Sequence, residues 1–414
     1  MNKFQEELKK FAKLAIRTGV NLQKGQGLFV AAPIESAPLA HLVAEEAYKA
    51  GAKDVHVEWT DDTTSLLLFQ HAPLESLKQV PEWKFYARNA LVKDNYAVLN
   101  IYGPNPDLLE HIDGARVAAY TKAAGKALVP FREHLMKSKT QWSIIAYPTG
   151  AWSKKVFPDK SAEEAQKQLM KEILRISRVT GHEDPIAAWR EHNKKLKIAK
   201  DFLNRQKFRQ LIYRAAGTDL TITLPEGHIW CGGAEPSESG VMFNANIPTE
   251  EVFTLPHKDG VDGTVAGTKP YHFNGQIIDG FSLTFKNGEV VDFKAEKGEE
   301  ALKHLLDSDP GARRLGEVAL VPHRSPVSKS GLVFYNTLFD ENASCHLAVG
   351  KAYPTCLENG GDMDETQLER AGVNNSIVHE DIMVGSAELD IDGVKADGTR
   401  QAVFRGGAWA FSFE

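Results

Sequence analysis

Phe4, Leu8, Phe11 and Leu14 recur at three- and four-residue intervals, with Lys3, Glu6, Glu7, Lys9 and Lys10 between them. That spacing predicts an amphipathic helix and no continuous apolar export signal. The pattern then changes: residues 27–33 (GLFVAAP) are a short apolar run that predicts a strand. Ser36 is placed to cap a following helix, and Gly51 stands where a helix-ending glycine belongs. Residues 54–59 (DVHVEW) alternate with period two and complete a β-α-β unit. Runs at 97–101 (AVLNI), 116–120 (RVAAY) and 142–147 (WSIIAY) predict further strands, with helical segments interspersed. Such alternation implies an open, largely parallel sheet.

Two helices follow in the pattern. Ser161 and Glu164 have capping-box spacing ahead of a buried stripe of Leu169, Ile173 and Ile176, which ends at Gly181. Trp189, Leu196, Ala199 and Leu203 form a second stripe beside Lys194, Lys195, Lys197 and Lys200; such a run is more often a solvated face than an RNA or membrane contact. From about residue 211 short strands and tight turns take over. Residues 220–224 alternate, and Asn287-Gly288 between 282–286 and 289–294 is a strong hairpin signal. Asp392-Gly393 follows another alternating run at 387–392, and helices are expected near 298–306 and 340–351. The expected fold is an α/β N-terminal domain with an open, largely parallel sheet, over 1–210. An α+β C-terminal domain rich in antiparallel strands covers 211–414, with the boundary at 205–215.

Composition narrows the function. A chain of 414 residues, 42% hydrophobic and 25% charged, is an ordinary globular protein of about two domains. The net charge of −6 argues against a dedicated nucleic-acid binder, and no apolar stretch is long enough to span a membrane. That average conceals a division: 211–414 carries 16 Lys+Arg against 31 Asp+Glu, or −15, which leaves +9 for 1–210. Cys231, Cys345 and Cys356 lack CxxC spacing, which points to a reducing, cytoplasmic setting and away from a thiolate zinc site.

Phosphate-loop, GxSxG and HExxH signatures are missing, and Gly25-Gln26-Gly27 lacks the third glycine of a dinucleotide fingerprint. What remains lies in the acidic half. In 376–383 (SIVHEDIM) an extended backbone turns His379 and Asp381 to one face and Glu380 to the other. An isolated HxD is more often plain structure, yet the pair can ligate one metal or two neighbouring ones. On the helix expected over 340–351 (DENASCHLAVGK), with Asp340 as its cap, His346 sits among small apolar residues, and Tyr353 returns to its face two turns later. The competing reading is a satisfied core histidine and a packed tyrosine. Carboxylates open two apolar strands, at 249–253 (TEEVF) and 316–321 (GEVALV). Glu251, Glu317, His346, His379 and Asp381 together meet the ligand count of a two-metal hydrolase.

These segments resemble the thermophilic metalloprotease family of aminopeptidases, the aminopeptidase T and aminopeptidase S group. The matching stretches are 246–256 (NIPTEEVFTLP), 314–318 (RLGEV), 336–353 (NTLFDENASCHLAVGKAY) and 375–385 (NSIVHEDIMVG), and the resemblance extends over nearly the whole chain. It implies metal ligands at Glu251, Glu317, His346, His379 and Asp381, with Tyr353 beside the metals; two-metal chemistry then suggests a bridging role for Glu317, and for Tyr353 a hydrogen bond to the oxyanion or orientation of the substrate. It favours the second glutamate of the Thr-Glu-Glu run; adjacent strand residues face opposite ways, so Glu250 stands in reserve and as a proton-shuttling candidate. The implied reaction is removal of N-terminal residues from peptides by a water activated between two divalent ions: zinc, cobalt, manganese or magnesium. A homodimer is implied too. Other two-metal hydrolases, such as a phosphoesterase or deacylase, and a non-catalytic α/β binding protein are the alternatives.

Overall fold

In a computed structural model, residues 3–181, 183–273 and 276–413 are described. The chain forms two compact units, Met1–Glu191 with Ala234–Pro248, and His192–Gly233 with Thr249–Glu414. The division therefore falls inside the helix Pro185–Gln206 and not at 205–215, and the second unit starts ahead of residue 211. The helix's own stripe explains this. Trp189 Nε1 donates to Ser177 O at 2.8 Å in the first unit, while Leu196, Ala199 and Leu203 are buried in the core of the second. Segment Ala234–Pro248 returns to the first unit because Asn246 bridges in parallel to Ile144.

The first unit is α/β, built on a parallel sheet of β1 (Gly27–Pro33), β2 (Asp54–Thr60), β3 (Ala97–Tyr102) and β4 (Trp142–Ala146), in the order β2-β1-β3-β4. Leu28, Phe29, Val30, Ala97, Val98 and Leu99 are buried, as inner strands covered on both faces require. Gly51 adopts φ 96° as the C-cap of helix Ala37–Ala50. Ser36 stands at the N-cap position of that helix but its hydroxyl donates to Pro33 O, so it does not cap. Ser161 and Glu164 do form the capping box. Residues 116–120, read from the sequence as a strand, lie in helix Gly114–Ala127. Its N-cap Asp113 accepts from Ala115 N, and alanines fill the helix. The strand reading failed because the apolar run of four after Arg116 carries no period that separates strand from helix.

The second unit contains an eight-stranded antiparallel sheet and a smaller four-stranded one. Asn287 and Gly288, at φ 50° and 80°, close the hairpin of Ser282–Lys286 and Glu289–Lys294 in the eight-stranded sheet, as a two-residue turn demands. Asp392-Gly393 is not a turn: it lies inside strand Asp390–Val394, and a Cβ on Gly393 would meet the Phe208 ring at 2.5 Å. The smaller sheet comprises β5 (Val252–Thr254), β6 (Leu315–Leu320), β7 (His346–Gly350) and β8 (His379–Met383), ordered β8-β7-β6-β5. The helix expected near 298–306 is present as Glu299–Leu306.

The helix expected over 340–351 is not present. A helical turn covers Thr337–Asp340 and a 3-10 turn Glu341–Ala343, after which Ser344 is extended (φ −164°, ψ 173°) and β7 begins. Asp340 does not cap a helix; its carboxylate closes the preceding loop by accepting from Phe334 N and Asn336 N. All five residues of β7 are buried between β6 and β8. Sheet pairing on both edges thus overrides a weak local helical preference.

Candidate metal centre

One face of the four-stranded sheet carries the candidate residues. Glu317 on β6 pairs with Ala348 on β7, and Ala348 pairs with Asp381 on β8. Directly opposed residues share a face, so the two carboxylates flank a methyl group small enough to leave space between them. His346 and His379 lie two residues before Ala348 and Asp381 and therefore point the same way. Glu251 immediately precedes β5, and the register of β5 with β6 (Val252 opposite Leu320, Phe253 opposite Ala319) gives it the face of Glu317.

The distances agree with the register. His346 Nε2 lies 3.3 Å from Glu251 Oε2 and 3.4 Å from Glu317 Oε1. His379 Nε2 lies 3.8 Å from Glu317 Oε2 and 3.6 Å from Asp381 Oδ1. Two groups of potential ligand atoms result, Glu251–Glu317–His346 and Glu317–His379–Asp381, with Glu317 common to both. All five residues named from the sequence are brought together. Tyr353 reaches them by a route other than a helix: it precedes the 3-10 turn Pro354–Cys356, and its ring lies 4.9 Å from that of His379 and 6.4 Å from that of Phe253.

Surrounding groups hold each side chain. His379 Nδ1 faces Lys351 O at 2.7 Å; a carbonyl only accepts, so Nδ1 carries the proton and Nε2 offers its lone pair to the cluster. His346 Nδ1 faces Ser344 O at 3.3 Å, which orients the ring with Nε2 toward Glu251 and Glu317. Ser376 Oγ and Ile377 N donate to Asp309, which fixes the approach to β8. Buried Asn342 accepts from Glu250 N at 2.7 Å and donates to Leu338 O at 3.0 Å, tying the Glu250-Glu251 segment to the turn behind β7.

Glu250 is buried but belongs to neither ligand group; its Oε2 lies 3.9 Å from His192 Nε2, which also faces Thr249 O at 2.7 Å. Residue-level reading of the sequence did not find Glu341, Asn342 or His192. Glu341 feels the charges of Glu251, Asp381 and Glu317 and so lies in the field of the cluster. It stands inside 340–351, and reading that segment as a helix hid its proximity to the other carboxylates.

The electrostatics are those of crowded, desolvated acids. Burial raises the Glu317 carboxyl above its ordinary value; the His346 hydrogen bond opposes this, and the charges of Asp381 and Glu251 add to it. Burial, then the charges of Glu251 and Asp381, push Glu341 well above the carboxylate range. Burial alone would lower the His346 pKa, but hydrogen bonds to Glu251 and Glu317 and the charge of Asp381 outweigh it and raise it well above normal. Asp381 Oδ1 is a buried acceptor that receives no hydrogen bond among the described residues, and Glu251 Oε2 faces the His346 ring nitrogen at 3.3 Å. Buried carboxylates left without donors are costly unless a cation compensates them. Oxygen and imidazole donors with acceptors to spare fit divalent metal ions.

The thermophilic metalloprotease (M29) family profile matches residues 4–409. The chain is 55% identical over 411 residues to "Aminopeptidase 2" of Geobacillus stearothermophilus, spanning 99% of both chains. It is 42% identical over 409 residues to "Aminopeptidase T" of Thermus aquaticus, spanning 99% of this chain and 100% of that one. Among solved structures, wild-type AmpT from Thermus thermophilus superposes with a TM-score of 0.92 at 41% identity, over 99% of this chain and 100% of the other.

Proposed function

Since the chain belongs to the thermophilic metalloprotease (M29) family and is a peptide hydrolase with a divalent-metal requirement, we propose that it removes N-terminal residues from peptides with two such ions. The position of Glu317 carries this reading: one carboxylate belongs to two ligand groups at once. Glu317, common to both groups, would help to hold both ions, with Glu251 and His346 completing one site and His379 and Asp381 the other. Glu341 adds a fourth carboxylate. Four carboxylates balance the charge of two divalent cations, which offsets the cost of burying them together.

When bound, the ions supply Lewis acidity, lowering the pKa of a water and polarising the scissile carbonyl. The residues do the rest. The Tyr353 hydroxyl keeps its proton, because burial and the charges of Glu317 and Asp381 raise its pKa. It is thus suited to donate to the oxygen on which negative charge develops. Glu250, beside His192 Nε2, is assigned the transfer of the proton to the leaving amine. Its backbone is fixed by Asn342, so the carboxylate is pre-positioned. An acid-lined face favours a free α-amine over a blocked terminus, consistent with exopeptidase action. Zinc, cobalt, manganese and magnesium all suit this donor set.

The test is hydrolysis of aminoacyl-p-nitroanilides before and after chelation, with metal returned in measured steps. Activity should vanish on metal removal and recover fully at about two equivalents of metal per chain. Full activity after complete metal removal would refute the mechanism, and recovery complete at one equivalent would refute the two-ion count.

A further inference from the structure

We propose that Cys231 and Cys356 form a modification site, at which a peroxide makes a reversible intramolecular disulfide that slows turnover. The two sulfur atoms lie 3.9 Å apart although the residues are separated by 125 positions in sequence. Each is joined to a different segment that borders the metal centre without lining it. Cys231 is joined to Phe253 of β5 by two backbone hydrogen bonds, of 2.8 and 3.0 Å, and Phe253 lies two residues beyond Glu251. Cys356 ends the 3-10 turn that follows Tyr353, and its N–H donates to Tyr353 O at 3.0 Å.

Access and chemistry assign an order to the two thiols. Cys231 is half-buried and Cys356 is buried, so the oxidant meets Cys231 first. Cys356 directs its S–H at Cys231 Sγ, 3.9 Å away, and is therefore placed to resolve the intermediate formed there. Cys231 sulfur attacks one peroxide oxygen, the O–O bond breaks, and a sulfenic acid and one water result. Cys356 sulfur then attacks Cys231 sulfur, and the departing hydroxide leaves as water with the Cys356 proton. In sum two thiols and one hydrogen peroxide become one disulfide and two waters.

A disulfide bond is about 2.05 Å long, so the sulfur atoms must close by nearly 2 Å. Cys231 is held against Phe253 by its two backbone hydrogen bonds and Cys356 O accepts from Ile229 N at 2.7 Å, so closure of the sulfur atoms is taken up partly in the short turn that follows Tyr353, and shifts Tyr353 with it. Bond formation itself is independent of the catalytic assignment; the effect on turnover rests on the role proposed above for Tyr353. Cys345 is an internal control: it is buried and its sulfur donates to Val321 O at 3.3 Å.

The experiment treats the metal-loaded enzyme with hydrogen peroxide, quenches with catalase, and counts thiols after denaturation. The expected result is a fall from three free thiols to one, a peptide cross-link joining Cys231 to Cys356, and unchanged metal content. Because a displacement of about 1 Å can cost about 100-fold, kcat should fall by about 10-fold or more and return on phosphine reduction. Cys231→Ser and Cys356→Ser should keep the untreated kcat and lose the response to peroxide. Three surviving thiols, a cross-link through Cys345, or an equal peroxide response in the serine variants would each overturn the site. An intact Cys231–Cys356 cross-link with unchanged kcat would overturn the control of turnover. Thiol count and cross-link require no activity assay, so their failure is distinguishable from failure of the two-metal reading.

Discussion

The two four-stranded sheets both bury most of their inner strands, but with different residues. In β1 and β3 the buried positions other than Gly27 are aliphatic or aromatic, and apolar burial at about 25 cal/mol per Å² accounts for their placement. In β6 all six residues are buried and one is Glu317; in β7 all five are buried and the first is His346. Burying ionisable groups costs several kcal/mol each unless they are compensated. An apolar sheet is therefore explained by stability alone, whereas a buried sheet face bearing acids and imidazoles requires a charge partner.

That contrast can be broken most severely at Glu317. Glu317→Ala should leave a folded protein with less than two bound ions and no measurable turnover, read by metal analysis and peptide hydrolysis. Near-normal kcat with both ions retained would remove Glu317 from the bridge. The opposite behaviour is expected of Phe29, which is 1% exposed and packs against His56 and Phe131. Phe29→Ala should cost about 3–5 kcal/mol of stability in chemical denaturation while metal content per folded chain stays the same.

Tyr353→Phe should lower kcat by about 100- to 1000-fold, as loss of an oxyanion donor does, with little change in KM or metal content. A change confined to KM would make Tyr353 a binding group. The smallest effect is expected at Asn342, which touches none of the proposed ions yet fixes the Glu250-Glu251 segment. Asn342→Ala should weaken metal affinity by about 10- to 100-fold, measured by competition with a chromogenic chelator. Unaltered affinity would reduce Asn342 to a packing role.

Much of this was legible in the chain. The bounds of β1 and the capping box at Ser161 followed from periodicity and local hydrogen-bonding groups, which act over a few residues. His379 and Asp381 were legible as one face because strand period is two, and β8 is a strand. The segment around His346 was misread for the converse reason. Residues 340–351 carry small and apolar side chains compatible with either period, and pairing with β6 and β8 decides the matter. Glu341 was missed with it. The choice between Glu250 and Glu251 was also undecidable locally; the register of β5 on β6 turns Glu251 toward His346 and leaves Glu250 beside His192.

By itself the sequence determined the α/β and α+β character of the two halves, the ligand-type residues, and their confinement to the acidic half, where five candidates lie between positions 251 and 381. Only the tertiary structure decided that they converge, that Glu317 is shared, and that two distant cysteines meet beside Tyr353. The physical reason is range. Side-chain period and turn chemistry act between near neighbours, whereas a metal centre assembled from four segments exists only once long-range strand pairing has set their register.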